Sequence, residues 1–271
     1  MIKLKEIKLI ACDLDGTLLN AKKEITNNNM DTIKGLKEAL FVIATGRPLD
    51  GIKKINDALG LNKDNHYSIC YNGAVIVENK TGKIIAKDTI SLDYVLEVYN
   101  FAKANNLNFH AFRDSGELIT DKKNEYTAVE ERINGIEAIE CIIEDENPKQ
   151  EYIKCMIVSS EENLDRIIND IPSSIKRKMN VSRSSKIFLE FQNPSTNKGL
   201  GLIHLAKYLN IDMANTMAIG DADNDRSMLE VAGTSVIMEN HFNGLEKYAD
   251  FITKSNEESG VAYALLNFNV K

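Results

Sequence analysis

With 271 residues, 43% of them hydrophobic and 27% charged, the chain has the apolar content for one large domain or two modest ones, and its mixed composition excludes a disordered polymer. A formal net charge of -7 argues against a protein built to hold a nucleic-acid backbone or an anionic membrane surface, because both need a cationic footprint. The four cysteines, Cys12, Cys70, Cys141 and Cys155, form no CxxC pair, and no apolar run approaches the roughly 18 residues that span a bilayer. A soluble, cytoplasmic protein with reduced thiols is expected, acting on a small molecule rather than on nucleic acid or membrane.

In chain order, residues 7–13 form an apolar run that ends at a turn-forming Gly16, the pattern of a buried strand in a parallel sheet. Residues 26–39 carry helical spacing, with Thr26 or Asn27 as cap, and residues 40–44 are a second apolar run, which makes β-α-β order. A helix over 51–59, a strand over 68–71 and a hairpin of 74–77 with 83–86 around Thr81-Gly82 follow. The next hundred residues change style. Helical periodicity over 92–104 and 161–171 alternates with strands over 107–112, 118–121, 152–159 and 187–191, as in a separate α+β unit. After Pro194 the first style returns: a helix over 198–209, a strand over 216–219, a helix over 223–231 and a strand over 235–238. An α/β domain interrupted by an inserted one explains the sequence better than a single continuous sheet.

Asp13 and Asp15 lie in DLDGT, at the carboxyl end of the first strand, where open α/β sheets place ligands. Two carboxylates two residues apart can divide labour, one as nucleophile and the other as proton donor and acceptor. An ordinary strand-ending Asp-Gly turn is the competing explanation. A second acidic group, GDADND at 220–225, also follows an apolar strand and opens a helix; Asp221, Asn224 and Asp225 share one face of its first turn. A charged helix cap needs fewer acids than this, and a hard cation with oxygen ligands accounts for the surplus.

If both acidic groups meet at one sheet edge, two unit charges about 4 Å apart at an effective dielectric of about 20 cost on the order of 4 kcal/mol. They must bind protons or metal. With a phosphorylated substrate the small ion that keeps its waters is magnesium. Two positions can supply positive charge and donors to a phosphoryl group: Thr45-Gly46-Arg47 after the second strand, and Lys198 where the returning helix opens.

These segments, DLDGT at 13–17, ATGR at 44–47, NGA at 72–74, NKG at 197–199 and GDADND at 220–225, resemble in order the signature elements of the haloacid dehalogenase superfamily, within it the Cof-type sugar-phosphatase group. The resemblance implies a Rossmann-like parallel-sheet core with an inserted α+β cap: residues 1–84 and 190–271 as catalytic core, 85–189 as the specificity-setting cap. It implies Asp13 as nucleophile and Mg2+ ligand, Asp15 as general acid/base with its backbone carbonyl on the metal, and Asp221 as a further ligand. Asn224 and Asp225 complete or support that site. Thr45, Gly46 and Lys198 would hold the phosphate, and Arg47 and Asn72 are candidates for substrate contact. Asp15 itself fits the phosphatase branch, since dehalogenation has no leaving oxygen to protonate.

One segment departs from that pattern: around Asn240, where related chains carry small residues, this chain reads Met238-Glu239-Asn240-His241-Phe242, and its residues are left outside the expected site. His66, His110, His204 and His241 lack metal-ligand spacing and are expected in surface or packing roles, as is Cys12 in the core beside Met217, Met228 and Met238. Arg113, Lys122, Arg183 and Lys186 are cations of the inserted unit with no assigned role. The expected activity is hydrolysis of small phosphorylated metabolites, such as hexose phosphates, pyridoxal phosphate or flavin mononucleotide, by a monomer or weak homo-oligomer. A phosphomutase or phosphotransferase using the same aspartyl-phosphate is the alternative. A receiver module and a non-catalytic phosphosugar sensor are more distant ones.

Overall fold

The computed structural model describes residues 6–271, which divide into two compact units, one of residues 6–86 with 197–271 and one of residues 87–196. The first unit begins with β1 (Leu9–Cys12), α1 (Asn27–Lys34), β2 (Leu40–Ala44), α2 (Leu49–Leu59), β3 (Tyr67–Cys70) and the hairpin strands β4 (Val75–Glu78) and β5 (Ile84–Lys87). Every residue of β1 is buried, as a central parallel strand covered on both faces requires. Thr26 caps α1 by accepting from the Asn29 N–H, and the helix ends at Lys34, five residues before the expected 39, with the Gly35 N–H closing on the Asp31 and Thr32 carbonyls. At the end of α2, Gly60 takes a left-handed conformation with φ of 71° and satisfies the Asn56 and Asp57 carbonyls.

The second unit contains β6 (Ile90–Ser91), α3 (Leu92–Ala104), β7 (Asn108–Arg113), β8 (Leu118–Thr120), α4 (Glu125–Asn134), β9 (Ile139–Glu140), β10 (Glu151–Val158), α5 (Glu161–Ile167), α6 (Ser173–Lys178), β11 (Asn180–Ser185) and β12 (Phe188–Gln192). Its sheet runs β11-β12-β10-β7-β8-β9, with β6 beside β10. Apolar residues on one face, among them Phe109, Ala111, Cys155, Ile157, Leu189 and Phe191, join α3, α5 and α6 in a core of their own. The unit extends to Thr196, past the expected boundary at 189, because β12 lies between β10 and β11 and its last residues belong to this sheet. At the other boundary β5 stays in the first unit's sheet through Ala86.

The returning segment supplies α7 (Lys198–Tyr208), β13 (Thr216–Gly220), a 3-10 turn at Asp223–Asp225, α8 (Arg226–Val231), β14 (Thr234–Ile237), β15 (Phe251–Ile252) and α9 (Gly260–Asn267). The single helix expected over 223–231 is thus a tight turn followed by a helix. Among the described residues the first unit's sheet has eight strands in the order β15-β14-β13-β1-β2-β3-β4-β5, parallel from β15 to β3. The chain winds outward from β1 through β2 and β3, then returns beside β1 on its other side with β13. That reversal opens a crevice at the carboxyl ends of β1 and β13, the place where such sheets bind ligands. No described helix is long and apolar enough to cross a membrane.

Candidate active site

β1 ends at Cys12, and the Asp13 N–H still donates to the Ile219 carbonyl at 2.9 Å, so the Asp13 backbone is fixed by β13. The turn that follows needs glycine. Gly16 has φ of +95°, and a Cβ there would lie 2.4 Å from Asp221 Oδ2. Thr17 is fully buried next to it and donates to Asp221 Oδ1 at 2.6 Å, joining the two acidic motifs.

Asp13, Asp221 and Asp225 are all buried, and each offers a carboxylate oxygen within 4.8 Å of the others. Lys198, the first residue of α7 and fully buried, places Nζ 2.5 Å from Asp13 Oδ1 and 2.6 Å from Asp225 Oδ1. The other Asp225 oxygen accepts the N–H groups of Asp221 and Ala222 at 2.9 and 3.0 Å. Asp225 therefore anchors the lysine and the turn carrying Asp221. The helix N-terminus plays less part than its sequence suggests: the Gly199 N–H donates to Ser227 Oγ and the Leu200 N–H to Asn197 Oδ1, so it is the Lys198 ammonium that carries the positive charge.

Three carboxylates against one ammonium leave two negative charges if all are ionised. Burial, reinforced by the charge of Asp225, pushes the Asp13 carboxyl up to about 8. Burial also pushes Asp221 up to about 6, against the Thr17 hydrogen bond. Burial opposes the Lys198 charge, but Asp13 and Asp225 outweigh it and raise its pKa. The cluster thus holds a proton at neutral pH unless a cation replaces it. Hard oxygen donors with a surplus of two charges fit one divalent ion of the magnesium type.

Asp15 stands apart from the three clustered acids. Its Oδ1 accepts from Arg47 Nη2 at 2.7 Å and Lys23 Nζ at 2.8 Å, and its Oδ2 from Arg47 Nε at 2.9 Å. Burial works to raise its pKa, but the Arg47 and Lys23 hydrogen bonds outweigh that and hold the carboxyl below its ordinary range. Arg47, expected as a substrate contact, has Asp15 as its partner here.

Thr45 continues β2: its N–H donates to the Ile69 carbonyl, its carbonyl accepts the Asn72 N–H, and its buried hydroxyl accepts the Arg47 N–H at 3.2 Å. Asn72 has φ of 56° and ψ of 33°, a left-handed conformation that asparagine tolerates. Its Oδ1 lies 3.2 Å from a hypothetical Gly46 Cβ and accepts from Asn224 Nδ2 at 3.2 Å. Asn224 is exposed and its amide is directed to Asn72.

Several residues at this end of the sheet escaped sequence reasoning. Asn240 donates to the Gly16 carbonyl at 2.8 Å, while Phe242 donates its N–H to the Asp221 carbonyl and leaves its ring exposed. The bulky neighbours thus do not crowd the turn, and the retained asparagine was the available signal. Lys23 had none, since a lysine in a polar loop is common, and Thr17 was signalled only as the last residue of the DLDGT segment. All four cysteines are free, Met217, Met228 and Met238 are fully buried, and His110 bonds Thr127 in the second unit. Of the second unit's four noted cations, Arg113 binds Glu146 and Glu117, Arg183 binds Asp165 and Lys186 binds Glu161.

A family model described as haloacid dehalogenase-like hydrolase matches residues 10–265. The chain is 37% identical to M6_Spy0533 of Streptococcus pyogenes, assigned as a phosphatase, over 96% of this chain and 97% of that one. It is 31% identical to the 5-amino-6-(5-phospho-D-ribitylamino)uracil phosphatase YwtE of Bacillus subtilis, over 95% and 96% of the two chains. Among solved structures, a haloacid dehalogenase-like hydrolase from Bacteroides thetaiotaomicron superposes with a TM-score of 0.86 at 30% identity, covering 97% of this chain and 99% of that one.

Proposed function

Because the chain belongs to the haloacid dehalogenase-like hydrolase family and is a phosphatase, we propose that it hydrolyses small phosphorylated metabolites, sugar phosphates and similar phosphomonoesters, through an aspartyl-phosphate on Asp13. The observation that carries this reading is the Asp13 carboxylate at the end of β1, with the Lys198 ammonium 2.5 Å from one of its oxygens and two further buried acids around it. A lone acid in an Asp-Gly turn has no need of such surroundings.

Asp13 attacks phosphorus as its P–O bond to the alcohol breaks, and Lys198 offsets charge on the phosphoryl oxygens. The Thr45 hydroxyl and the Gly46 N–H would hold those oxygens. Asp15 protonates the departing oxygen and later takes a proton from the water that hydrolyses the aspartyl-phosphate. Arg47 and Lys23 keep it ionised in the free enzyme, the form that accepts a proton; the approach of a phosphate dianion favours the protonated form. Asp13, Asp221 and the Asp15 carbonyl would hold Mg2+, supported by Asp225 and Asn224. When bound, that ion neutralises the acids and polarises a phosphoryl oxygen. The second unit, residues 87–196, would act as the cap whose side chains select the substrate.

A phosphate-release screen over phosphorylated metabolites with magnesium, run beside Asp13→Asn and a chelator, tests the reading. Turnover to free phosphate that needs both Asp13 and the ion is expected. Full activity in Asp13→Asn would overturn the mechanism, and phosphate recovered on a second sugar position would make the protein a mutase.

A further inference from the structure

We propose that Lys23 is a positioning residue for Asp15, anchoring Oδ1 so that Oδ2 is the oxygen that carries the proton to the leaving group. The inference rests on the reading of Asp15 as general acid and adds the residue that aims it.

The two oxygens of Asp15 are treated unequally. Oδ1 accepts from both Lys23 Nζ and Arg47 Nη2, at 2.8 and 2.7 Å, whereas Oδ2 accepts from Arg47 Nε alone, at 2.9 Å. A carboxylate oxygen has two lone-pair sites, so Oδ1 is filled and Oδ2 keeps one open. Without Lys23 the carboxylate would have a free site on each oxygen and Arg47 alone to orient it. Lys23 thus makes the acid asymmetric.

The lysine reaches Asp15 from a turn built to present it. The Asn20 N–H donates to the Glu24 carbonyl and the Lys23 N–H to the Asn20 carbonyl, while Asn20 Oδ1 accepts the N–H groups of Lys22 and Glu24. Lys23 itself has φ of 61°, a left-handed conformation that a lysine rarely adopts. The turn is tied down from the other end of the chain: Asn256 Nδ2 donates to the Leu19 carbonyl, the Ala21 N–H donates to Glu257 Oε1, and Thr26 and Ser259 share a hydroxyl hydrogen bond. The Lys23 side chain is 62% exposed, so its ion pair contributes little to stability, and the consequence of the contact lies in the direction of Asp15.

In the step concerned, an Asp13 oxygen bonds to phosphorus, the ester P–O bond breaks with its electron pair going to the alcohol oxygen, and the proton on Asp15 Oδ2 moves to that oxygen. A poor leaving group depends on this proton and a good one does not.

The test measures kcat/KM with magnesium for p-nitrophenyl, phenyl and propyl phosphate in the wild type, Lys23→Met, Lys23→Arg and Asp15→Asn. Lys23→Met is expected to lose about tenfold more on propyl than on p-nitrophenyl phosphate, with Lys23→Arg close to wild type. An equal loss on all three esters, or none, overturns the proposal, and a shared rise in KM would make Lys23 a substrate contact instead. Asp15→Asn separates the two levels. If it steepens the leaving-group dependence and Lys23→Met does not, Lys23 alone is misassigned; if it lowers all three esters alike, the general-acid reading fails and the Lys23 role with it.

Discussion

Among the described residues two lysines are buried, one in each unit, and the difference between them separates a candidate active site from a structural ion pair. Lys154 lies in the middle of β10 and pairs with Glu190 in the middle of β12 at 2.9 Å. Ser184 of β11 donates to the same oxygen at 2.7 Å, and the ammonium lies 5.1 Å from the centre of the Phe112 ring. Burial raises the Glu130 carboxyl above its ordinary range, and burial with the Lys154 charge brings His110 down to about 4. Lys198 instead stands where strands end, among three acids that it cannot balance alone. Both lysines are buried and paired. What marks the second as a candidate for chemistry is surplus charge at a strand end.

The sharpest way to break this contrast is to remove the proposed nucleophile. Asp13→Asn is expected to reduce phosphomonoester hydrolysis by on the order of 10⁴- to 10⁶-fold, read as phosphate release, while the protein stays folded. Next is Lys198→Met, which should lower kcat by about 10²- to 10³-fold. It should also cost about 3–5 kcal/mol in urea unfolding without metal, because Asp13 and Asp225 remain buried and facing each other. Magnesium should recover part of that stability in the variant but not the activity. If Lys198→Met turned over at the wild-type rate, the lysine would be a structural one like Lys154.

Lys154→Met should show the opposite profile: a stability loss of about 3–5 kcal/mol from leaving Glu190 unpaired, most of it recovered when Glu190→Gln is added. Its kcat on p-nitrophenyl phosphate should change far less than that of Lys198→Met. A paired variant no more stable than the single one would show that the ion pair is not what holds that face of the sheet.

A last effect, read on stability alone, is a pH dependence of the metal-free protein. Asp13 and Asp221 have folded pKa values raised from 3.8 to about 8 and about 6, so their contribution to stability is fully present below about 4 and is lost as pH rises through 6 and then 8. Lys198, also raised, loses its contribution only in alkali beyond that window. The melting temperature without metal should therefore fall between pH 5 and 8.5, and magnesium should flatten the fall by taking the place of the protons. A metal-free profile that rises with pH over this range would contradict the cluster's charge balance.

Much of this was legible in the sequence, for local reasons. The strand before Asp13, the strand 40–44 and the strand before Asp221 are uninterrupted apolar runs closed by Gly or Thr-Gly, and the structure has strands at Leu9–Cys12, Leu40–Ala44 and Thr216–Gly220. Helix α4 was missed because its inward positions include Thr127, Glu130 and Asn134, so the apolar period that betrays a helix is absent even though Asn124 and Thr127 form a capping box. β11, reading NVSRSS at a sheet edge, carries no apolar pattern either. The domain boundary near 189 fell short because β12 can be assigned to a sheet only through its partners, β10 and β11.

By itself the sequence determined where the reactive side chains stand along the chain, at the carboxyl ends of buried strands and at the first residue of a helix, because apolar period and turn chemistry act over a few residues. Only the tertiary structure decided which of them meet. Thr17 reaches Asp221 across 204 positions and Lys198 reaches Asp13 across 185. The direction of a carboxylate at a turn is set by donors from other segments: Lys198 for Asp225, and Arg47 with Lys23 for Asp15.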